Sequence, residues 1–530
     1  VGLFSFWKKK KKRPPQRPIS QLWETLRQSS DFVEVSFVVG GKELSIYYFD
    51  SLVDPQVLQE RILCHLQNDI PNHPTVRLED LQQIVPILRI EVSEDTALIE
   101  EKVLKGFVAV TFREQPNKAA LMGAAAENLG LRENNDSENE FSVVGPKVGF
   151  VENVGVNLHL IRRQVVTPNL VFREMSIGSV SKTKVVIAYI DGVANPEVVQ
   201  TVTQRLESIH FDVVFDNAIL DQLLADNSRT PFPLFISTER IDRTIYALVS
   251  GQVAIFCDGS PYAVIGPAAL FDFFTSPEDY YLPWVLGTFL RLIRFFGVAF
   301  SVLASPIYVA VLTYHYEMIP EDLLGPIIYS RSNVPFPPML EVLFLEITIE
   351  LLREAGARLP TKVAQTLGIV GGIVIGQATV DAGLTSTFLL IVVALAALAT
   401  FTTPIFKMSN TIRFIRFPFI LFAACWGGIG IIFAVCGLLI HLGRLQSFGY
   451  PYLLPFYPFR VRSFRDTFVR HTVKRRSGRC FFVRGRGFVT IRMRRSKNAI
   501  LMSKGDRDEA WASMARCAAV AWRLRQFAAD

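Results

Sequence analysis

Two rhythms of hydrophobicity divide the chain. Up to about residue 280 the apolar residues come in short runs of strand and helix length. From Trp284 to Leu442 they come in runs long enough to cross a bilayer, which needs about 20 residues. In the first part, DFVEVSFVV and ELSIYYFD alternate and flank Gly40-Gly41-Lys42, which predicts a β-hairpin. Asp54-Pro55 then opens a helix, since Asp caps well and Pro suits the first helical position. The pattern returns in KVVIAYIDG, in Asn195-Pro196 before VVQTVTQRLESI, and in FDVVFD, which reads as the next strand. Ile46, Tyr48, Asp50, Pro55, Val57 and Gln59 match Ile187, Tyr189, Asp191, Pro196, Val198 and Gln200 at one constant offset. Two related α/β subdomains are therefore expected, over 31–115 and 141–280, joined by a polar linker over 116–140. Within the second, TIYALVSGQVAIFCDGSPYAVIG reads as helix or strand, then two strands separated by an Asp-Gly turn. Residues 1–30 read as a basic flexible lead-in. Lys8–Lys12 either touch anionic lipid or stay solvated.

The second rhythm predicts an α-helical transmembrane domain over 281–445. Arg291 and Arg294 sit three apart at the head of the first span and are candidate interface anchors, with long side chains reaching headgroups. The alternative is that they line a pathway. Pro306 is expected to kink this span. Residues 318–337 hold too many prolines and charges for an ordinary span and read as re-entrant or interfacial. Met339–Arg353 has a helical pattern with Glu346 and Glu350 on one face and Glu341 about 140° from Glu346. Two readings stay open: a surface helix with its acids in water, or a helix lining a cation-attracting pore. Glu341, Glu346 and Glu350 are thus the candidate ion pathway. Gly368, Gly372 and Gly376 recur every four residues in the span Lys362–Ala382 and predict close helix packing. Leu384–Phe406 and Phe414–Leu442 complete the spans, the last with Gly427, Gly428 and Gly430 in its middle. Lys407, Arg413 and Arg416 mark a cytoplasmic turn by the positive-inside rule. One crossing after that turn strands the C-terminus on the wrong side. Either 318–337 or the glycine-broken last run must therefore depart from a single crossing.

Composition refines this picture. Of 530 residues, 50% are hydrophobic, and mean hydropathy is +0.29, as for a membrane protein with a large soluble part. The net charge of +7 belongs to the end of the chain: from Arg460 onward there are 19 Lys/Arg and 5 Asp/Glu, so the remainder is acidic. Basicity is therefore no sign of nucleic-acid binding. The six cysteines show no metal spacing, the seven histidines are scattered, and no Gly-rich phosphate loop follows a strand. Asp191-Gly192 and Asp258-Gly259 are turn signals before they are acid–base candidates. No catalytic residue, cofactor or metal site is expected, and the chain does not read as an enzyme. No secretory signal is visible, which places the soluble part on the cytoplasmic side.

Several phrases carry a family resemblance: GPKVGFVENVGVNLHLIRRQ, STERIDRTIYALVSGQVAIFCDGSP, SPEDYY, YHYEMIPEDLL, RSNVPFPPMLEVLFLEITIELLREAGARLP, GIVGGIVIGQATV and SFGYPYLLPF. From about 31 to 468 the chain resembles the A subunits of spore germinant receptors, a family that includes a stage V sporulation protein. The resemblance implies a multi-pass protein of the spore inner membrane, with its N-terminal domain on the core side. It implies a homo-oligomeric cation channel that releases monovalent ions when nutrient binds a permease-like B subunit, beside a lipoprotein C subunit. A non-conducting membrane scaffold, or a paralogue amplifying ion release, is the alternative. Residues 446–470 read as a juxtamembrane tail. The Arg/Ala-rich stretch 471–530 departs from the family and reads as an unrelated extension or a basic regulatory tail.

Overall fold

The repeated sequence pattern corresponds to two five-stranded antiparallel sheets of the same strand order. The computed structural model describes residues 18–70, 77–87, 90–126, 144–358, 372, 376–457, 459 and 467–470. Strands β1 (Phe32–Val39), β2 (Lys42–Phe49), β3 (Ile90–Ser93), β4 (Phe107–Phe112) and β5 (Ala119–Gly123) pair in the order β1-β2-β4-β5-β3. Strands β6 (Leu170–Ile177), β7 (Thr183–Ile190), β8 (Ile236–Thr238), β9 (Val253–Cys257) and β10 (Ala263–Gly266) pair in the order β6-β7-β9-β10-β8. The matched residues take matched places. Ile46 faces Val110 on β4 and Ile187 faces Ile255 on β9, both fully buried. The N–H of Asp50 donates to the Asp31 carbonyl, and that of Asp191 to the Asn169 carbonyl, each at 2.8 Å. Asp54 and Asn195 then cap the following helices through Oδ1, at 2.9 Å from Gln56 N and 3.1 Å from Glu197 N.

Four expectations change. Residues 119–123 of the expected linker form β5, because a strand buried on both faces shows no alternation. Residues 19–26 of the expected flexible lead-in form a helix that buries Ile19, Leu22, Trp23 and Leu26, the spacing of one helical face. FDVVFD is no strand: Ser179 N donates to the Phe211 carbonyl, and Val180 and Ser181 N donate to that of Asp212, which holds it as a loop. The juxtamembrane stretch after Arg444 is no tail, since Leu445, Phe448 and Tyr452 lie in the core of the second sheet and Ser447 is fully buried. The extension 471–530 lies outside the described residues.

One buried arginine joins the two sheets. Arg162, on the helix Val154–Gln164, is fully buried. Its Nε and Nη2 donate to the two Asp31 oxygens at 2.7 and 2.8 Å, and Nη2 also reaches Ser29 Oγ at 2.8 Å. The guanidinium lies 4.2 Å from the Phe49 ring and 4.6 Å from the Phe172 ring, one from each subdomain. One turn earlier, His159 Nδ1 donates to the Ser51 carbonyl at 2.8 Å across the same junction, while its Nε2 is buried without a partner among the described residues. Burial pushes the His159 pKa below the ordinary histidine value, against the raising effect of the Ser51 carbonyl, and the Arg163 charge lowers it further. The unfolded chain therefore takes up this proton first. The stability it contributes is complete above the unfolded pKa of about 6.5 and is lost as pH falls through the folded value. Melting the detergent-solubilised chain between pH 8 and pH 5 should show an acid loss that His159→Asn reduces. Equal slopes for wild type and variant would remove His159 from the effect.

The helical part begins at the second sheet. The first long helix, Trp284–Tyr314, has 31 residues, about 46 Å at 1.5 Å per residue, and runs through Pro306. It and Phe406–Arg444 are long and apolar enough to cross a membrane. The second of these is not one rod. Gly427 has φ 60° and ψ −136°, outside the helical region. A side chain on Gly430 would run into the Phe422 carbonyl, eight residues back, which a straight helix holds about 12 Å away. Thr411 Oγ1 donates to the Pro231 carbonyl at 2.6 Å, while His441 Nε2 meets Thr230 Oγ1 at 3.0 Å. Both ends thus return to the same loop of the second subdomain, and the segment is a helical hairpin with arms 406–426 and 428–444. The glycine-broken last run is therefore not a single straight helix. The expected span Leu384–Phe406 is a shorter helix, Thr387–Thr400, of 14 residues, ended before Pro404.

Candidate functional site: a buried carboxylate–arginine chain

The helix Pro338–Ala357 begins with proline at its first position and carries the three candidate glutamates. Glu341 and Glu346 are buried, so the water-exposed reading does not hold for them, whereas the Glu350 side chain is 46% exposed. Glu346 Oε2 pairs with Arg416 Nη1 at 2.5 Å, and Oε1 accepts from Ser305 Oγ at 2.7 Å. Arg416 Nη2 also donates to Thr400 Oγ1 at 3.1 Å, the Ala396 carbonyl at 3.3 Å and Ser301 Oγ at 3.4 Å. Glu350 lies 3.6 Å from Arg413 Nη1. The four-residue step of the acids is met by a three-residue step of the bases because the two helices run antiparallel. Glu341 Oε1 accepts the Ser386 N–H at 2.6 Å, and Oε2 stands 3.5 Å from Arg331 Nε. The Ser386 hydroxyl lies 3.1 Å from Tyr308 OH.

Each expected carboxylate therefore faces one arginine: Arg331 for Glu341, Arg416 for Glu346 and Arg413 for Glu350. Charges left unpaired among apolar helices are too costly to keep, so pairing is what makes burial possible. Glu341 Oε2 and Arg416 Nε are buried without a hydrogen-bond partner among the described residues, so the polar chain is not saturated. The Glu346 and Glu350 pairs fall on the arm that starts at the second subdomain, while Glu341 gathers Ser386 and Tyr308. Sequence reasoning assigned Arg413 and Arg416 to a cytoplasmic turn and passed over Arg331, Ser301, Ser305 and Thr400. The available signal was a pair of arginines three apart and a pair of glutamates four apart on separate apolar helices.

The other named residues fall elsewhere. Arg291 and Arg294 do not reach outward as anchors. Arg291 is fully buried with Nε 3.3 Å from Asp279 Oδ2, and Arg294 holds both Asp279 oxygens at 3.1 and 3.2 Å and the Phe274 carbonyl at 2.6 Å. Arg470 joins them from the end of the described chain, donating to the Tyr280 carbonyl at 2.6 Å and to that of Leu282. SPEDYY is thus a socket for three arginines. Gly368 lies outside the described residues. A Cβ on Gly372 would meet nothing within 4 Å among the described residues, and one on Gly376 would lie 3.7 Å from Leu390, an ordinary contact. Close packing at this glycine series is therefore not what the described pair shows, because small-residue spacing by itself specifies no partner.

The family profile described as Bacillus/Clostridium GerA spore germination protein matches residues 20–480. The chain is 42% identical to spore germination protein GerQA of Bacillus cereus over 93% of its length and 98% of that protein's. It is 45% identical to spore germination protein GerIA of Bacillus cereus over 88% of its length and 69% of that protein's. Among solved structures, it is similar to the N-terminal domain of the A subunit of the Bacillus megaterium spore germinant receptor GerK3. That match has 28% identity over 48% of this chain and 94% of that domain, with a TM-score of 0.36. The chain belongs to the GerA family of spore germination proteins.

Proposed function

We propose that this chain is the A subunit of a nutrient germinant receptor in the spore inner membrane, and that copies of it provide a path by which monovalent cations leave. Nutrient is taken up by a permease-like partner subunit, and a lipoprotein subunit completes the receptor. The observation that supports this is the chain of buried ionisable groups inside an apolar helical part, since such groups mark ion and proton pathways. Each glutamate sits beside an arginine, and on this reading the pairing represents a closed arrangement. Moving the arginine-bearing hairpin away from Glu346 and Glu350 would leave carboxylates facing cations. Glu346→Gln should cut early potassium release after nutrient addition to background, in spores with unchanged protein level and partner content. Normal release from such spores would remove Glu346 from the pathway.

The same pairing favours a second reading, a membrane scaffold whose ion pairs only hold helices together. Exchanging the pair, Glu346→Arg with Arg416→Glu, separates the two. A scaffold needs only the attraction and recovers germination. A pathway needs the carboxylate on its own helix and stays silent although the subunit is present.

A further inference from the structure

The turn of the last hairpin exposes main-chain groups that an uninterrupted helix would satisfy internally. A break at Gly427 releases the last carbonyls of the first arm and the first N–H groups of the second. In an apolar setting each released group is expensive unless another part of the protein meets it. Two adjacent residues at the end of the first long helix do so. Tyr314 OH donates to the Ala424 carbonyl at 2.9 Å and approaches that of Cys425 at 3.0 Å, and Gly428 N donates to His315 Nε2 at 3.2 Å. The fit leaves no spare room, for a Cβ on Gly427 would lie 2.9 Å from Tyr314 Cδ2. Around the turn, Tyr314, Tyr316 and Trp426 are exposed, which is the aromatic pattern of a membrane–water interface. The arms, 21 and 17 residues at 1.5 Å each, are about 31 and 25 Å long, close to the thickness of a hydrocarbon core.

We propose that Tyr314 and His315 are positioning residues that staple the tip of a membrane hairpin on the face away from the sheets. The last apolar run then crosses, reverses at Gly427 and returns, bringing Ser447–Tyr452 back to the second subdomain. This rests on the membrane reading above. His315 serves only as the Nδ1–H tautomer, because Nε2 must accept.

The test uses the full chain with Cys64 and Cys425 retained and the other four cysteines replaced, in right-side-out and inverted membrane vesicles, with an impermeant maleimide. Cys64, exposed beside the first sheet, and a C-terminal tag should be reached from one side, and Cys425, exposed at the tip, from the other. Labelling of Cys425 from the Cys64 side, or a tag on the far side, overturns the proposal. Chain released by alkaline carbonate overturns the membrane reading and the staple with it. His315→Leu should speed Cys425 labelling by about fivefold or more, the factor expected for losing a hydrogen bond that holds the tip. His315→Gln, which keeps an acceptor, should retain the wild-type rate. Equal rates for the Leu and Gln variants would overturn the role of His315.

Discussion

Arg162→Met should destabilise the full chain by about 3–5 kcal/mol, the cost of stranding one member of a buried ion pair. The carboxylate left behind is that of Asp31, held among the described residues only by Ser29 Oγ at 2.5 Å and Ser51 Oγ at 2.6 Å. Two hydroxyls cannot replace a bidentate guanidinium. The change also empties the slot between the Phe49 and Phe172 rings, which a methionine only partly refills. Asp31→Leu alone should cost a similar amount, leaving Arg162 buried and charged. The two together should cost far less than their sum, because the double variant buries no orphan charge. Chemical denaturation of the four proteins in detergent gives this cycle directly. A single-variant cost below about 1 kcal/mol would mean that the junction opens to water at little expense.

Tyr452→Ala should cost about 3–5 kcal/mol, the range for truncating a buried aromatic side chain. Tyr452 is fully buried between Phe232 and Phe273, with ring centroids at 6.4 and 5.9 Å. Its hydroxyl donates to the Pro233 carbonyl at 2.8 Å, and its own carbonyl accepts from Leu270 N at 2.8 Å. Burial raises its pKa well above the ordinary tyrosine value, with the Asp272 charge adding to this, so the hydroxyl stays protonated as a donor. Beside it, Ser447 Oγ donates to the Leu234 carbonyl at 2.8 Å and accepts from Ala268 N at 3.0 Å. The second subdomain is therefore completed by residues that follow the helical hairpin. Hydrogen exchange in the full chain should show the loss first in β8 and β10. Protection unchanged there would mean that the C-terminal segment merely rests on the sheet. A fragment ending near residue 280 should melt below one carrying residues 445–457 on a linker.

Much of the α/β architecture was legible in the residues. The hairpin at Gly40-Gly41, the caps Asp54 and Asn195, and the constant offset between Ile46 and Ile187 are local signals, and local signals decide strands and helix starts. What misled was also local: β5 has no alternation to show, and FDVVFD is an apolar-rich run that pairs with no strand among the described residues. The candidate site was half legible. An acid on an apolar helix is conspicuous, so Glu341, Glu346 and Glu350 could be named. Their partners could not, because an arginine at a span end has an ordinary topogenic explanation.

The amino-acid sequence by itself determined where many strands, helices and apolar runs begin, that the N-terminal α/β part repeats one unit, and which family the chain belongs to. Only the tertiary structure decided that Glu346 meets Arg416 across 70 residues, that Arg162 meets Asp31 across 131, and that Tyr450 meets Asn195 across 255. It also decided that the last apolar run turns back at Gly427. Hydrophobic period and capping act over a few residues and are written in every short window. Charge pairing, the closing of a core by a returning segment, and the stapling of a helix break depend on which distant surfaces meet. That is settled by the least costly burial of all groups together.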